Sequence, residues 1–117
     1  EQLSNKLSIH VITADTYGSV SEKLKHLACN LHIIGNKNQD IEKLNYLKKL
    51  DSSTTVAIGN GRNDLLMLKE AVIGIGVIQQ EGGCGQLPAI SDIVCNSIYD
   101  ALNLFLYPSR IIATMRN

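Results

Sequence analysis

Residues 56–77, VAIGNGRNDLLMLKEAVIGIGV, constrain the fold more than any other stretch of the chain. A short apolar run, Val56-Ala57-Ile58, enters a turn built on Gly59 and Gly61 and passes Asn60, Asn63 and Asp64. It continues into Leu65, Leu66, Leu68 and Ala71 at helical spacing. The pattern predicts a strand, a polar turn, a helix and a second strand ending at Val77. In a parallel sheet such a turn lies at the carboxyl ends of the strands, where open α/β folds bind ligands. Asn60 and Asp64 are therefore expected to face a cleft.

The rest of the chain repeats the alternation. Leu3 and Leu7 are spaced as on one face of a short helix, and Ile9-His10-Val11-Ile12 predicts a buried strand ending at Thr13-Ala14-Asp15-Thr16. Val20, Leu24, Leu27 and Ala28 then share one helical face, with Ser19 or Ser21 as cap. Leu31-His32-Ile33-Ile34 predicts a second strand, closed by the loop Gly35-Asn36-Lys37-Asn38. Asp40 is placed to cap a helix that turns Ile41, Leu44, Leu47 and Leu50 inward, and Asp51-Ser52-Ser53 breaks it before the next strand. After Val77 come a loop with Gly82, Gly83 and Gly85, a short helix over 86–90, and a last strand, Asp92–Cys95. Ile98, Ala101, Leu102 and Phe105 form a final helical face that ends near Pro108, before a basic–apolar tail. Strand–helix alternation of this kind predicts an α/β, Rossmann-like three-layer sandwich with a mostly parallel sheet. Right-handed crossovers bring the loops after the strands to one edge, so Thr13, Asn36 and Asn60–Asp64 are expected to converge.

Bulk composition narrows the function classes. At 117 residues the chain has the length of one domain, short for a whole α/β enzyme. Eleven Lys and Arg balance eleven Asp and Glu, which gives no electrostatic case for a nucleic-acid or anionic-membrane partner. Cys29, Cys84 and Cys95 lack a C-x-x-C spacing and read as reduced thiols, which with the lack of a membrane span or signal peptide predicts a cytoplasmic protein. His10, His26 and His32 share no metal-ligand spacing and are assigned to packing or surface. The glycines at 82, 83 and 85 are read as a lid or turn, since no P-loop Lys-Ser/Thr follows.

The stretch 56–77 closely resembles the fourth motif of the haloacid dehalogenase-like (HAD) superfamily, in the form seen in P-type ATPases and their small soluble relatives. There an acidic residue, a glycine and an Asn-Asp pair hold magnesium beside a phosphorylated aspartate. Gly61, Asn63 and Asp64 match, whereas Asn60 replaces the first acid. "VITADT" resembles the second motif, so Thr13, through its hydroxyl, and Ala14 are implied to bind the transferring phosphate. Lys43 matches the third-motif lysine, a point-charge clamp on phosphate. Taken singly, Thr13 is a strand-end residue and Lys43 a solvated helix position; in family order ahead of the 56–77 match they take the functional reading.

The resemblance implies a phosphohydrolase working through an aspartyl-phosphate, with Mg²⁺ held by Asn60 and Asp64, phosphate bound by Thr13, Ala14, Lys43 and Asn63, and a phosphorylated substrate. Asn60 offers only a neutral amide oxygen, which weakens such a metal site. The first HAD motif, which carries the nucleophile on a central strand, has no match ahead of Thr13. The domain is therefore expected to be the carboxyl-terminal part of a longer one, capless, without its central strand, and to pair with a second copy or a complementing N-terminal segment. In a second registration Asp15-Thr16-Tyr17-Gly18-Ser19 resembles the nucleophile motif Asp-Lys-Thr-Gly-Thr, making Asp15 the nucleophile and Ile34-Gly35 a degraded second motif. Against it, Tyr17 stands where an Asp or Thr belongs and Ile34-Gly35 offers no hydroxyl. Two further classes stay open: a non-catalytic module that binds Mg²⁺ or phosphate for regulation or assembly, and a nucleotide-binding fragment of a cation pump, for which the chain shows no membrane-spanning segment.

Overall fold

A computed structural model describes residues 7–14, 29–80, 82–107 and 114–115. The helix expected around Val20, Leu24, Leu27 and Ala28, its Ser19 or Ser21 cap, Asp15, His26, the opening residues with Leu3, and most of the tail lie outside the described residues. The chain divides into two compact units, Glu1–Gln39 and Asp40–Asn117.

In the first unit, β1 (His10–Thr13) and β2 (Asn30–Ile33) pair in parallel, with His10 opposite Asn30 and Thr13 opposite Ile33. The ladder is closed at both ends, by the Asn30 N–H on the Ile9 carbonyl and the Ile34 N–H on the Thr13 carbonyl, each 2.8 Å. The strand expected to be buried, β1, is only half-buried, and β2 is mostly exposed, Ile33 keeping 48% of its surface. Ile34, one residue beyond β2, is the buried member at 4%. In a sheet of two strands each strand is also an edge, which leaves both less covered than the strands of a wider sheet.

The second unit opens with α1 (Gln39–Leu50), whose first residue belongs to the preceding unit. Asp40 lies within this helix, its carboxylate accepting the Ile41 N–H at 2.9 Å, rather than capping it. Of the four residues expected inward, Leu47 alone is fully buried, while Ile41 is 48% exposed. Asp51 stops the helix: its backbone takes φ 82°, and its carboxylate accepts both the N–H and the hydroxyl of Ser53. Those two bonds hold the Asp51 carboxyl below its usual range.

The three-stranded parallel sheet has the order β3 (Val56–Gly59), β4 (Ile73–Val77), β5 (Ile93–Cys95). Among the described residues the strands thus form two parallel sheets, one in each unit. Alternation along β4 puts Ile75 and Val77 into a core with Ile93, Ala101 and Leu104, against which Val56, Ile58, Ile73 and Phe105 pack. Ala101 and Leu104 come from α4 (Ile98–Leu106), capped by the Ser97 hydroxyl oxygen, which accepts the Asp100 N–H. Ile98, expected on the inward face, is 37% exposed and Leu104 takes its place in the core. The alternate residues of β4 are Gly74 and Gly76, and they decide the other face. A Cβ at Gly74 would run into the backbone carbonyl of Leu68, in α2 (Leu65–Glu70); one at Gly76 would meet Ser91 Oγ and Leu87, the first residue of α3 (Leu87–Ile90). Both short helices rest directly on the strand backbone, and their Leu68 and Leu87 are 0% exposed.

Gly74→Ala is therefore expected to destabilise the protein by about 2–3 kcal/mol, because a carbonyl in a helix cannot yield as a flexible side chain can. Equilibrium urea unfolding measures this; a loss below about 0.5 kcal/mol, the range of unconstrained surface changes, would contradict the close approach.

Candidate active site

From Gly59, the last residue of β3, the chain turns through Asn60 and Gly61 into a single 3₁₀ turn, Arg62–Asp64, that leads directly into α2. Asp64, 5% exposed, is the buried charged residue recorded among the described residues. Its Oδ2 accepts the N–H groups of Asn60 and Gly61, both at 3.0 Å. This is the reach-back geometry by which an acid at the third position of a helical turn satisfies donors at its start. Gly59 makes room for it, since a Cβ there would lie 2.5 Å from Asp64 Cβ and Cγ.

The other carboxylate oxygen is occupied from a different element. Lys43, on the second turn of α1, places Nζ 2.7 Å from Asp64 Oδ1 and 3.1 Å from Asn63 Oδ1. The two charged side chains are 12% and 8% exposed, so the pair is poorly screened by solvent. An ammonium has three donors, and Asp64 and Asn63 use two of them. Lys43, Asn63 and Asp64 thus come into contact within one unit. Among the described residues, the Asn60 side-chain amide makes no hydrogen bond, while its backbone N–H and C=O are both engaged.

Thr13 and Ala14 stand at the end of β1, both half-buried; Asp15 lies outside the described residues. Asn36, in the loop after β2, is exposed. Cys29, Cys84 and Cys95 are free thiols, as expected. Burial, and secondarily the Asp100 carboxylate, pushes the Cys95 thiol up, away from the thiolate needed for nucleophilic work. No group of three or more His, Cys, Asp or Glu suited to a metal exists among the described residues. No helix there is long and apolar enough to cross a membrane.

Sequence reasoning missed three features: the double backbone clamp on Asp64, the need for a bare Cα at Gly59, and a hydrogen bond of 3.1 Å from the Cys84 N–H to the Asn60 carbonyl. The Gly-x-Gly-x-x-Asp spacing over 59–64 carries the signal for the first two; the third joins segments whose proximity no local pattern encodes.

Comparison with known proteins gives the class. Residues 11–83 match the haloacid dehalogenase-like hydrolase family, and the chain belongs to it. An uncharacterised protein of Methanocaldococcus jannaschii is 43% identical over 84 residues, which cover 68% of this chain and 90% of that protein. A probable phospholipid-transporting ATPase of Homo sapiens is 43% identical over 44 residues, 38% of this chain but 4% of the ATPase. Among solved structures, 3-deoxy-D-manno-octulosonate 8-phosphate phosphatase from Moraxella catarrhalis, crystallised with magnesium, phosphate and KDO, superposes with a TM-score of 0.72 at 24% identity. The match covers 97% of this chain and 71% of the phosphatase. The α/β fold with parallel strands is thereby that of the family.

The clamp predicts an asymmetry in stability. Asp64→Ala strands a largely buried lysine ammonium and two backbone N–H groups and should cost about 3 kcal/mol. Lys43→Met leaves the carboxylate on two N–H donors and should cost about 1–2 kcal/mol less than that. Urea denaturation of both variants tests the ordering; equal losses, or a larger one for Lys43→Met, would contradict it.

Proposed function

We propose that the chain is a phosphohydrolase domain whose phosphate-facing groups in the second unit are Lys43, Asn63 and Asn60. The observation that carries this is the Lys43 ammonium, fixed by Asp64 and Asn63 with one donor to spare. A fixed cation beside amide side chains suits a phosphoryl group, whose equatorial oxygens spread negative charge that fixed donors stabilise. Asp64 contributes through Lys43 and through the loop it folds. Thr13 and Ala14 as phosphate ligands are further parts of the proposal, drawn from the resemblance, and Asp15 is the nucleophile in its second registration.

Magnesium belongs to the proposal as the family's cofactor, and the Moraxella catarrhalis phosphatase was crystallised with it. The described residues do not fit a Mg²⁺ site by themselves. Hard Mg²⁺ wants one or two carboxylates besides phosphate and water, yet both oxygens of Asp64 are engaged, one of them by an ammonium, and Asn60 supplies a neutral oxygen. A further carboxylate would complete the set.

Asp64's neutralisation by Lys43 favours one alternative, a module that binds phosphate without turnover. The test is hydrolysis of p-nitrophenyl phosphate by the full chain with MgCl₂. Turnover is expected to vanish with EDTA and to fall about a hundredfold in Lys43→Ala, as when one preorganised donor is lost. Binding of inorganic phosphate without turnover would establish the module instead. Full activity in Lys43→Ala would overturn the site.

A further inference from the structure

The loop after β4 is built around Asn60, although nothing in the proposed chemistry requires it. Ile78 N–H extends the β4–β5 pairing onto the Cys95 carbonyl, and a tight turn then closes with the Gly82 N–H on the Gln79 carbonyl at 2.8 Å. Gly82 takes φ +92°, a conformation L side chains rarely adopt, and a Cβ there would meet nothing within 4 Å. Its demand is therefore conformational and not steric. Gly83 follows with the opposite demand, since its Cβ would stand 3.3 Å from Leu87 Cδ2 and 3.5 Å from the Asn60 carbonyl oxygen. These two residues deliver the Cys84 N–H to the Asn60 carbonyl, and the Cys84 carbonyl in turn accepts the Leu87 N–H at the start of α3.

Asn60 is consequently held from both sides of its backbone. Its N–H is fixed by Asp64 and its C=O by Cys84, while its side-chain amide makes no bond among the described residues. With both backbone polar groups fixed, the point from which the Asn60 side chain leaves the loop is fixed as well, the kind of support that preorganises a binding residue. Resting on the phosphohydrolase reading above, we infer that Gly82–Cys84 is a positioning element, which presents the Asn60 amide to the phosphoryl group through the Cys84 N–H. The identity of the 84 side chain does not enter, because the contact is made by the backbone. Gly82 and Gly83 are what bring that backbone within reach.

The experiment uses the full chain labelled with ¹⁵N and inorganic phosphate as the probe. In the unaltered protein, saturating phosphate should slow hydrogen exchange of the Cys84 amide by about fivefold to tenfold and shift the Asn60 side-chain amide resonances, the scale of one backbone hydrogen bond. Gly82→Ala should raise the phosphate dissociation constant by about the same factor at temperatures where the variant remains folded. Gly82→Asn should recover part of the loss, because Asn tolerates positive φ better than Ala. Gly85→Ala should match the unaltered protein, since a Cβ at Gly85 has open space. A Cys84 amide indifferent to phosphate while the Asn60 and Asn63 resonances shift overturns the loop's role and leaves the site standing. No phosphate response at Asn60, Asn63 or Lys43 overturns the site and the loop together. A Gly82→Ala variant that loses stability yet binds phosphate normally when folded also overturns the inference, since a merely structural turn behaves that way.

Discussion

A single carboxylate ties together segments twenty residues apart. Asp64, itself 5% exposed, draws the Lys43 ammonium from α1 on one oxygen and the N–H groups of Asn60 and Gly61 on the other, all at 2.7–3.0 Å. A buried charge of this kind is costly unless its lone pairs are used, and here both oxygens are used. The consequence runs in both directions. The turn 59–64 acquires its shape from the acid, and the lysine acquires a fixed position from the same group, so folding the loop and building the site are one event.

The rest of the second unit makes that event affordable in space. Three glycines, Gly59, Gly74 and Gly76, leave gaps through which Asp64, the Leu68 carbonyl and the Leu87–Ser91 segment approach the strands. With side chains at these positions α2 and α3 would stand off the sheet, and the polar turn between β3 and α2 would open. On the opposite face the core of Ile75, Val77, Ile93, Ala101 and Leu104 holds α4 against the sheet by ordinary apolar burial. Packing on one face and bare backbone on the other thus set the strand ends on which the candidate site sits.

Much of this was legible in the residues. The run 56–77 announces strand, turn, helix and strand, and Gly61, Asn63 and Asp64 with Lys43 upstream mark the family to which the chain belongs. Periodicity is less reliable where coverage decides: Ile41 and Ile98 have the right spacing for burial but are exposed, and in β2 the apolar Ile33 is exposed as well. Asp40 has a capping residue type but sits one residue inside the helix, since the chain enters helical geometry at Gln39, directly after Asn38 at φ 55°. The contact between Cys84 and Asn60 joins the loops that follow two paired parallel strands, and such meetings follow from sheet order, which local pattern does not contain. Geometry also adds to Asp64 a part that the residue order does not show, the anchoring of a lysine and a loop.

The most direct measurement is a ¹⁵Nζ–¹Hζ correlation spectrum of the lysine ammonium groups, with Lys43 assigned by comparison with Lys43→Arg and inorganic phosphate added stepwise. An ammonium held between Asp64 and Asn63 exchanges slowly, so the Lys43 signal should be present at neutral pH without ligand and should shift as phosphate engages its remaining donor. A Lys43 signal lost to rapid exchange like those of surface lysines, and unaltered by phosphate, would contradict the claim that this ion pair organises a phosphate site.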